Sequence, residues 1–550
     1  MHAAGEQDLP SFETHRVAPP PPFEPRDLWA DDAALCEGVA AAGASAHAAA
    51  LQAYARLAGD ELYRLGFDAN RDRPRLRTHD RHGQRIDTVE FHPAYHRLME
   101  QAKAHGVAGL SWHAQAPGAH VARAALSYLH HQAEAGTSCP LTMTHAAVPV
   151  LRREPSLREW ADKAAAPRYD PRDVAIGDKA GITVGMGMTE KQGGSDVRAN
   201  TTTATPLTGG EEYALVGHKW FFSAPMSDGF LVLAQAPGGL TCLLMPRRLA
   251  DGAKNAFRLV RLKDKLGDWA NASSEVEFCG ARAWRVGGEG RGVATIVEMV
   301  MLTRLDCMLG AAAEVRMALA QALHHARHRV AFGRPLVEHP LMANVLADLA
   351  VESEAATAFA LHVAALVDAA PDDPEAAALA RVATAIGKYW LCRRAPALVN
   401  EAQECLGGAG YVEESILPRL YRQAPLNSIW EGSGNIQCLD VLRALAREPA
   451  SAQALRVALA AAGARHPLLA GEAERLAAQL AGDGAVLEVQ ARLLVERLAL
   501  VLQGAVLVAG GSPLGDAFLR SRLGGEHGLA LGTLPAGIDF QAILARALPS

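Results

Sequence analysis

One glutamate stands in a sequence setting that suits a catalytic base. Glu431 lies between Trp430 and Gly432, and a hydroxyl and an amide side chain, Ser433 and Asn435, follow it. An aromatic neighbour can hold a carboxylate in a poorly solvated cleft, where its pKa rises toward a value useful for removing a proton. A lone glutamate beside a glycine is more often part of a solvated turn, so other motifs must support this interpretation.

A glycine-rich loop could bind a ligand. Residues 186–197, with the sequence MGMTEKQGGSDV, include Met188, Thr189, Gly194 and Ser195. Glycine lets backbone N–H groups approach a ligand closely, and hydroxyls can donate hydrogen bonds to phosphate or ring heteroatoms. Taken alone, the loop is better explained as a surface turn.

An aromatic run ends in a hydroxyl about thirty residues later. Phe221 and Phe222 precede Ser223 in the segment 217–223, GHKWFFS. Such a run suits a wall that covers a planar ring and donates a hydrogen bond to its edge. The alternative is the core of a buried β-strand. A further glycine-rich segment, 405–411, precedes the Glu431 region.

The elements that must position these motifs follow from hydrophobic periodicity. Abundant alanine and helical spacing of apolar residues predict a helical domain over 32–180. Short β-rich runs separated by glycine and proline predict an antiparallel β domain over 181–290. Helical pattern returns over 291–446, long enough for a four-helix bundle, and continues in a C-terminal helical domain, 447–550. The order predicts an α+β fold that is mostly α.

Two details of this prediction can be tested against the structure. The runs 213–216 and 220–222 are interpreted as separate strands. The proline cluster 19–22 cannot form a helix, so residues 1–31 are expected to be an extended arm that lies on a neighbouring surface.

Composition limits the function classes. The net charge of −6 gives no global reason to bind nucleic acid or a membrane. The eight cysteines contain no CxxC pair, and no signal peptide is recognised, so a cytoplasmic protein with reduced thiols is expected. The helix-borne His324, His325 and His328 lack an acidic or sulfur co-ligand, and no metal site is predicted.

Together, the three motifs resemble the acyl-CoA dehydrogenase superfamily over roughly residues 32–443. The sequences of segments 188–197, 217–223 and 427–435 most resemble those of the bacterial adaptive-response, or AidB-type, branch of alkylation-response flavoproteins. The resemblance implies an FAD-dependent flavoprotein of the four-part fold described above. It also implies a homo-oligomer, expected to be a tetramer, because FAD in this family lies near subunit interfaces.

The resemblance also implies roles for individual residues. Thr189 and Ser223 match hydrogen-bond donors to the flavin, Ser195 matches a phosphate partner, and Arg329 matches a residue that contacts FAD across a subunit interface. The residues assigned to the cofactor are Met188, Thr189, Gly194, Ser195, Phe221, Phe222, Ser223, Arg329, Phe332, Gly407, Gly408, Trp430, Gly432, Ser433 and Asn435.

For catalysis, Glu431 falls at the position of the family's base, which removes the α-proton of an acyl thioester while a hydride passes to FAD. Some relatives carry this glutamate just before the arginine that matches Arg304; here the position is Thr303, which favours Glu431. Arg304 matches an arginine that lines the active site. The alternative for this segment is a buried structural pair between Arg304 and Asp306.

A second function remains open at this stage. Relatives in the adaptive-response branch bind double-stranded DNA through a basic C-terminal domain, so the chain could instead be a DNA-binding flavoprotein with little or no turnover. Here that domain carries nine arginines and nine acidic residues between 447 and 546, a net charge of zero. Because DNA affinity depends on neutralising phosphates, this balance weakens the expectation. A packing domain that supports an oligomer is the alternative.

Overall fold

The segment before residue 180 is helical, as predicted, with one addition. The computed structural model describes residues 19–114 and 116–548; the first 18 residues of the predicted arm lie outside these ranges. The helices are α1 (Ala33–Ala41), α2 (Ala48–Leu57), α3 (Tyr63–Arg71), α4 (Pro93–Ala104), α5 (Ala119–Ala133), α6 (Ser138–Arg152) and α7 (Arg158–Ala165). The addition is a hairpin between α3 and α4, formed by β1 (Arg75–His79) and β2 (Arg85–Glu90).

The described part of the N-terminal arm packs against the protein. The Pro21 carbonyl accepts a hydrogen bond from Nε2 of His324 at 2.9 Å, and the ring of Phe23 lies 5.2 Å from the same imidazole. Residues 19–26 contain no helix or strand, because proline fixes φ and removes backbone donors. This segment is therefore extended and contacts His324 near the end of α8.

A seven-stranded sheet lies between residues 184 and 286. Its strands are β3 (Val184–Gly187), β4 (Thr203–Pro206), β5 (Glu212–Ser223), β6 (Gly229–Ala236), β7 (Gly239–Pro246), β8 (Phe257–Leu262) and β9 (Ser273–Val286). Strand β7 pairs with both β6 and β9, so the sheet closes on itself around an apolar core. The two runs predicted as separate strands are one strand, β5, whose register against β9 shifts between Leu215 and Val216 and between Lys219 and Phe222.

Long helices follow the sheet. They are α8 (Gly292–His328), α9 (Pro340–Ala369), α10 (Pro374–Cys405), α11 (Leu417–Gln423) and α12 (Gly434–Arg447), with a two-residue hairpin, β10 (Val330–Ala331) and β11 (Arg334–Pro335), after α8. Helix α9 is apolar enough to meet a membrane-span criterion by length and composition. However, 72% of its most apolar window is buried inside the protein, which suits a core helix of the bundle.

The C-terminal helices dock on this bundle. They are α13 (Pro449–Gly463), α14 (Pro467–Leu480), α15 (Gly484–Val489), α16 (Ala491–Ala509), α17 (Gly515–Arg522) and α18 (Phe540–Ala547). Arg522 in α17 forms ion pairs with Asp348 and Glu352 of α9, and Arg546 in α18 forms one with Glu354. The arrangement confirms the predicted α+β fold that is mostly α.

Candidate active site

Glu431 sits in a sharply bent loop at the start of α12. The 3-10 turn Leu426–Ser428 precedes the loop, and α12 begins three residues after the glutamate. Glu431 has φ of +57° and Gly432 has φ of +97°. The left-handed region is unfavourable for a residue with a side chain, by about 1–3 kcal/mol. The surrounding structure must therefore hold the loop in place.

Three buried or partly buried side chains hold the carbonyls of this loop. Nζ of Lys388, on α10, donates to the carbonyls of Trp430 at 2.8 Å and Gly432 at 2.6 Å. Nε2 of Gln437 donates to the Glu431 and Gly432 carbonyls, both at 3.0 Å. We call Lys388, Arg304 and Gln437 the loop clamp. Neither Lys388 nor Gln437 belongs to a sequence motif with a recognisable chemistry, so neither was predicted to act at this site.

Arg304 is the third member of the loop clamp. Its Nε donates to the Glu431 carbonyl at 3.1 Å, and its terminal nitrogen donates to Asp440 at 2.7 Å. Arg381 also pairs with Asp440. Burial opposes ionisation of Asp440, but Arg381 and Arg304 outweigh it and hold the pKa of that carboxyl below its usual range. Asp440 thus anchors the arginine beside the catalytic loop.

The alternative pairing of Arg304 with Asp306 does not occur. Asp306 instead pairs with Arg123 of α5, one of whose guanidinium nitrogens lies 2.7 Å from Oδ2, and accepts a hydrogen bond from Thr142 at 2.5 Å. Residues two positions apart on a helix point in different directions, so they cannot form such a pair.

The Glu431 carboxylate has one hydrogen-bond partner. Oγ1 of Thr303 donates to its Oε2 at 2.8 Å. Burial raises the pKa of Glu431 above the usual range, and the Thr303 hydrogen bond and the charges of Lys388 and Arg304 offset part of that rise. Within the described chain no group donates to Oε1. That oxygen is free to accept a proton from a bound molecule.

Strand β5 supplies a second wall. The ring of Phe221 is 52% exposed, and Nζ of Lys263 lies 4.7 Å from its centroid. The Ser223 hydroxyl lies on the same face and contacts the Ser273 hydroxyl at 3.2 Å. The side chain of Phe222 points the other way and is fully buried, with the Phe230 ring 4.2 Å away. Alternate residues of a strand face opposite sides, so the Phe222 ring faces the apolar core of the sheet. The contact of Phe222 with the cofactor stays a prediction.

A buried ion pair fixes the glycine-rich loop to this wall. Nζ of Lys219 lies 2.8 Å from Oε1 of Glu190, and both side chains are fully buried. Glu190 also accepts hydrogen bonds from the backbone N–H of Thr201 and Thr202. A Cβ on Gly194 would meet Oγ1 of Thr189 at 2.4 Å, so only glycine lets the loop fold onto that threonine. Ser195 is exposed.

The two walls meet around the thiol of Cys139, at the start of α6. Burial raises its pKa to about 12; the charge of Glu431 also raises it, and an interaction with the Ser223 hydroxyl lowers it. Met188 and Trp430 pack against the apolar cluster that contains this cysteine. Glu431 and Ser223 therefore both influence the Cys139 thiol, and Met188 and Trp430 both pack against its apolar cluster.

The start of α12 borders a cationic cleft. The cleft, of about 180 Å³, is lined by Lys388, Tyr389, Arg393, Ser428, Ser433, Gly434 and Arg492. Ser433 occupies the N-cap position of α12 but makes no capping hydrogen bond with its side chain. Oδ1 of Asn435 accepts a hydrogen bond from Nε of Arg492 at 2.8 Å. A helix N-terminus beside arginines suits a phosphate group.

Four residues predicted to contact the cofactor lie elsewhere on the surface. Arg329 follows the last residue of α8 and is exposed, and Phe332 is 95% exposed with φ of +51°. Gly407 and Gly408 are also exposed. Among the described residues, no hydrogen bond joins any of the four to the Glu431 loop. The expected contact of Arg329 with FAD across a subunit interface, and the cofactor contacts of the other three residues, stay predictions.

Comparison with known proteins agrees with this geometry. The model of the N-terminal domain of the adaptive response protein AidB matches residues 19–171. The models of the acyl-CoA dehydrogenase middle and C-terminal domains match residues 185–280 and 290–446. The three matches cover the helical domain, the sheet and the bundle in order.

Individual relatives cover most of the chain. AidB of Escherichia coli K12 is 48% identical over 442 residues, which span 80% of this chain and 81% of that protein. Acyl-CoA dehydrogenase family member 11 of Caenorhabditis elegans is 31% identical over 398 residues, 70% of this chain and 64% of the relative. The solved apo-form of Bd2924 superposes with a TM-score of 0.82 at 28% identity and covers 89% of this chain and 99% of its own. The chain therefore belongs to the acyl-CoA dehydrogenase family, in its adaptive-response (AidB) branch.

Proposed function

We propose that the protein is an FAD-dependent oxidoreductase of the acyl-CoA dehydrogenase type, with Glu431 as its catalytic base. The proposal rests on the buried environment of the Glu431 carboxyl and on the backbone conformation of this residue. Its pKa is raised by burial, one oxygen is held by Thr303, the other is free, and the loop clamp fixes its strained backbone. A strained backbone held by three other side chains, around a buried carboxyl with a raised pKa, is typical of a functional site.

The residues present fit FAD, which members of this family bind. The exposed ring of Phe221 and the hydroxyl of Ser223 lie on one face of β5 and suit the flat ring system and a polar atom at its edge. Arg393 and Arg492 line the cleft at the start of α12, where they would favour a diphosphate. Bound FAD would accept the hydride that leaves the β-carbon.

Glu431 would perform the proton transfer. The Cα–H bond of an acyl thioester breaks, and the proton moves to Oε1 of the carboxylate. The electron pair left on Cα forms the Cα–Cβ double bond as the β-hydrogen leaves with its pair as hydride. Thr303 keeps the carboxylate oriented, because its hydroxyl holds Oε2 while Oε1 reacts. The side chain must be ionised to act, so activity should appear as the pH rises through its elevated pKa.

Isotope exchange would test the proton transfer directly. The FAD-loaded protein is incubated anaerobically in deuterium oxide with isovaleryl-CoA, and deuterium at the α-carbon is measured by mass spectrometry. We expect incorporation with the natural protein and with Glu211→Gln, an exposed control in the β domain. Incorporation should be lost in Glu431→Gln. Equal incorporation in Glu431→Gln would rule out this glutamate as the base.

Assembly and location belong to the same proposal. The exposure of Phe332 and of Tyr411, which is 82% exposed, supports a homo-oligomer in which these surfaces are covered. We propose a tetramer, testable by sedimentation equilibrium. The eight cysteines are all unpaired, which supports the proposed cytoplasmic location.

The alternative function, association with double-stranded DNA in the response to alkylation, receives less support. It rests on the likeness to AidB, and many arginines of the C-terminal helices already have acidic partners. Arg475 and Arg497 pair with Glu472, Arg520 pairs with Glu526, and the arginines described above pair with α9. Because paired cations neutralise few phosphates, we expect weak duplex binding with a shallow salt dependence. A steep loss of binding between 50 and 200 mM salt (roughly the range over which strong phosphate binders weaken) would favour the alternative.

A further inference from the structure

A second cavity has a lining that includes none of the residues assigned to the candidate active site. It has a volume of about 340 Å³ and opens between α4, β2, the linker before β3 and the loop after β5. Glu431, Ser223 and Trp430 do not line it. The side chains that matter for its chemistry are Val89, Tyr95, His96, Met99, Met226 and Ser227. Its size lies at the lower end of the range of small-molecule sites.

The apolar part of the cavity suits a flat ring. The Tyr95 ring stacks on Phe91 with centroids 4.1 Å apart and planes 13° apart, and both rings line the cavity. The thioethers of Met99 and Met226 complete this surface. Methionine sulfur makes favourable contacts with aromatic rings and adapts to their shape. A flat aromatic molecule would therefore find rings and thioethers around it.

The acidic side chains that line the cavity are already paired with basic groups, so the cavity does not need a charged ligand. Nζ of Lys179 lies 2.6 Å from Asp228, which also accepts the backbone N–H of Thr183. Each acid that lines the cavity has a basic partner, the acids being Glu90, Asp170, Asp173 and Asp228. Burial lowers the pKa of His96, so this imidazole is neutral near pH 7. A neutral ligand fits this environment better than an ion.

One polar group in the cavity lacks a partner. Ser227 is 2% exposed, and its Oγ has no hydrogen-bond partner. Among the described residues that line the cavity, no other buried side-chain polar atom is unsatisfied. Buried hydroxyls in native proteins almost always have a partner. A ligand that supplies one hydrogen bond would satisfy this group.

We propose that this cavity binds a small, neutral, two-ring aromatic molecule that offers one N–H or O–H to Ser227. A cavity of about 150 Å³ in another protein accepts benzene, and the present cavity is more than twice as large. The ring would lie against Tyr95, Met99 and Met226, and its polar atom would reach Oγ of Ser227. The site is separate from the Glu431 chemistry and does not depend on it.

Titration calorimetry with indole would test the proposal on the full-length protein. Indole has two fused rings and one N–H, whereas 1-methylindole has the same rings without that donor. The variants are Ser227→Ala, which removes the hydroxyl, and Val89→Phe, which fills the cavity. Val216→Phe, at a position of the same domain that is 55% exposed, is the control. Ser227→Leu is a second filling variant if Val89→Phe does not fold, as judged by thermal unfolding.

We expect saturable 1:1 binding of indole to the natural protein and to Val216→Phe, and none to the filled variants. Ser227→Ala should bind indole about 3- to 10-fold more weakly, the size of one hydrogen bond, but bind 1-methylindole as the natural protein does. Absence of saturable binding would show a cavity that holds only water and would overturn the proposal. Binding that survives the filled variants would place indole elsewhere and would also overturn it.

Discussion

Replacing Lys388 by methionine should disable the catalytic loop without removing the catalytic carboxyl. Lys388 is 1% exposed, and its ammonium donates two hydrogen bonds, to the carbonyls on either side of Glu431. Each hydrogen bond to a charged group is worth about 1.5–3 kcal/mol, and the left-handed backbone of Glu431 costs about 1–3 kcal/mol. The lysine therefore supplies enough free energy to hold the strained conformation.

In Lys388→Met, Arg304 and Gln437 would still hold two of the three carbonyls, so we expect a partial loss of the active geometry. Stopped-flow reduction of the bound flavin by isovaleryl-CoA should slow by about 10- to 100-fold, a barrier increase of roughly 1.4–2.7 kcal/mol. Part of the loss should be recovered at higher pH. The positive charge of Lys388 lowers the pKa of Glu431, so its removal moves that pKa further up.

Lys103 offers a matched control for this experiment. It is also 1% exposed, and its Nζ donates to the carbonyls of Ala164 at 2.5 Å and Ile182 at 3.3 Å. Lys103→Met should lower the thermal unfolding temperature but leave the reduction rate of the folded protein unchanged. The reasoning would be refuted if Lys388→Met reduced flavin at the natural rate, or if Lys103→Met slowed it equally.

Three further results are expected. In Thr303→Val the carboxylate of Glu431 loses the hydrogen bond from Thr303, so the acid limb of the pH–rate profile should move to higher pH by about one unit. Thr303→Ser keeps the hydroxyl and should restore the natural profile. An acid limb that does not move in Thr303→Val would contradict the role of Thr303. Phe222→Ala should lower the free energy of unfolding by about 3–5 kcal/mol in chemical denaturation. Phe221→Ala should leave stability nearly unchanged but weaken FAD retention on gel filtration. The reverse pattern would show that Phe221 is the core ring and Phe222 the ring that contacts FAD. Lys219→Met leaves a buried carboxylate unpaired and should cost about 3–5 kcal/mol; a loss below 1 kcal/mol would argue against that pair.

The sequence was sufficient to predict the features that depend on residues close together in the chain. Helical periodicity and short β-rich runs separated by turns predicted the order of domains. The local sequence around Glu431 identified the loop that begins just before α12. The chemistry of that loop depends on contacts that are distant in sequence. Lys388 lies on another helix, and no local pattern distinguishes it from a surface lysine, so its role could be found only from coordinates.

Other differences have simple physical causes. Phe221 and Phe222 are alike as residue types, and only the strand register decides which ring faces the core. The hairpin β1–β2 was missed because its arginines hide a weak alternation in which only Asp87 and Val89 are buried, and Asp87 is not apolar. The alternative pairing of Arg304 with Asp306 could have been rejected from sequence, since residues i and i+2 of a helix do not face each other.

The most direct measurement is the visible absorption spectrum of the purified protein after addition of FAD, recorded before and after anaerobic isovaleryl-CoA, for the natural chain and Glu431→Gln. We predict flavin bands in both proteins and bleaching by the thioester only in the natural chain. Absence of flavin bands, or equal bleaching of Glu431→Gln, would contradict the proposal that this chain uses FAD with Glu431 as its base.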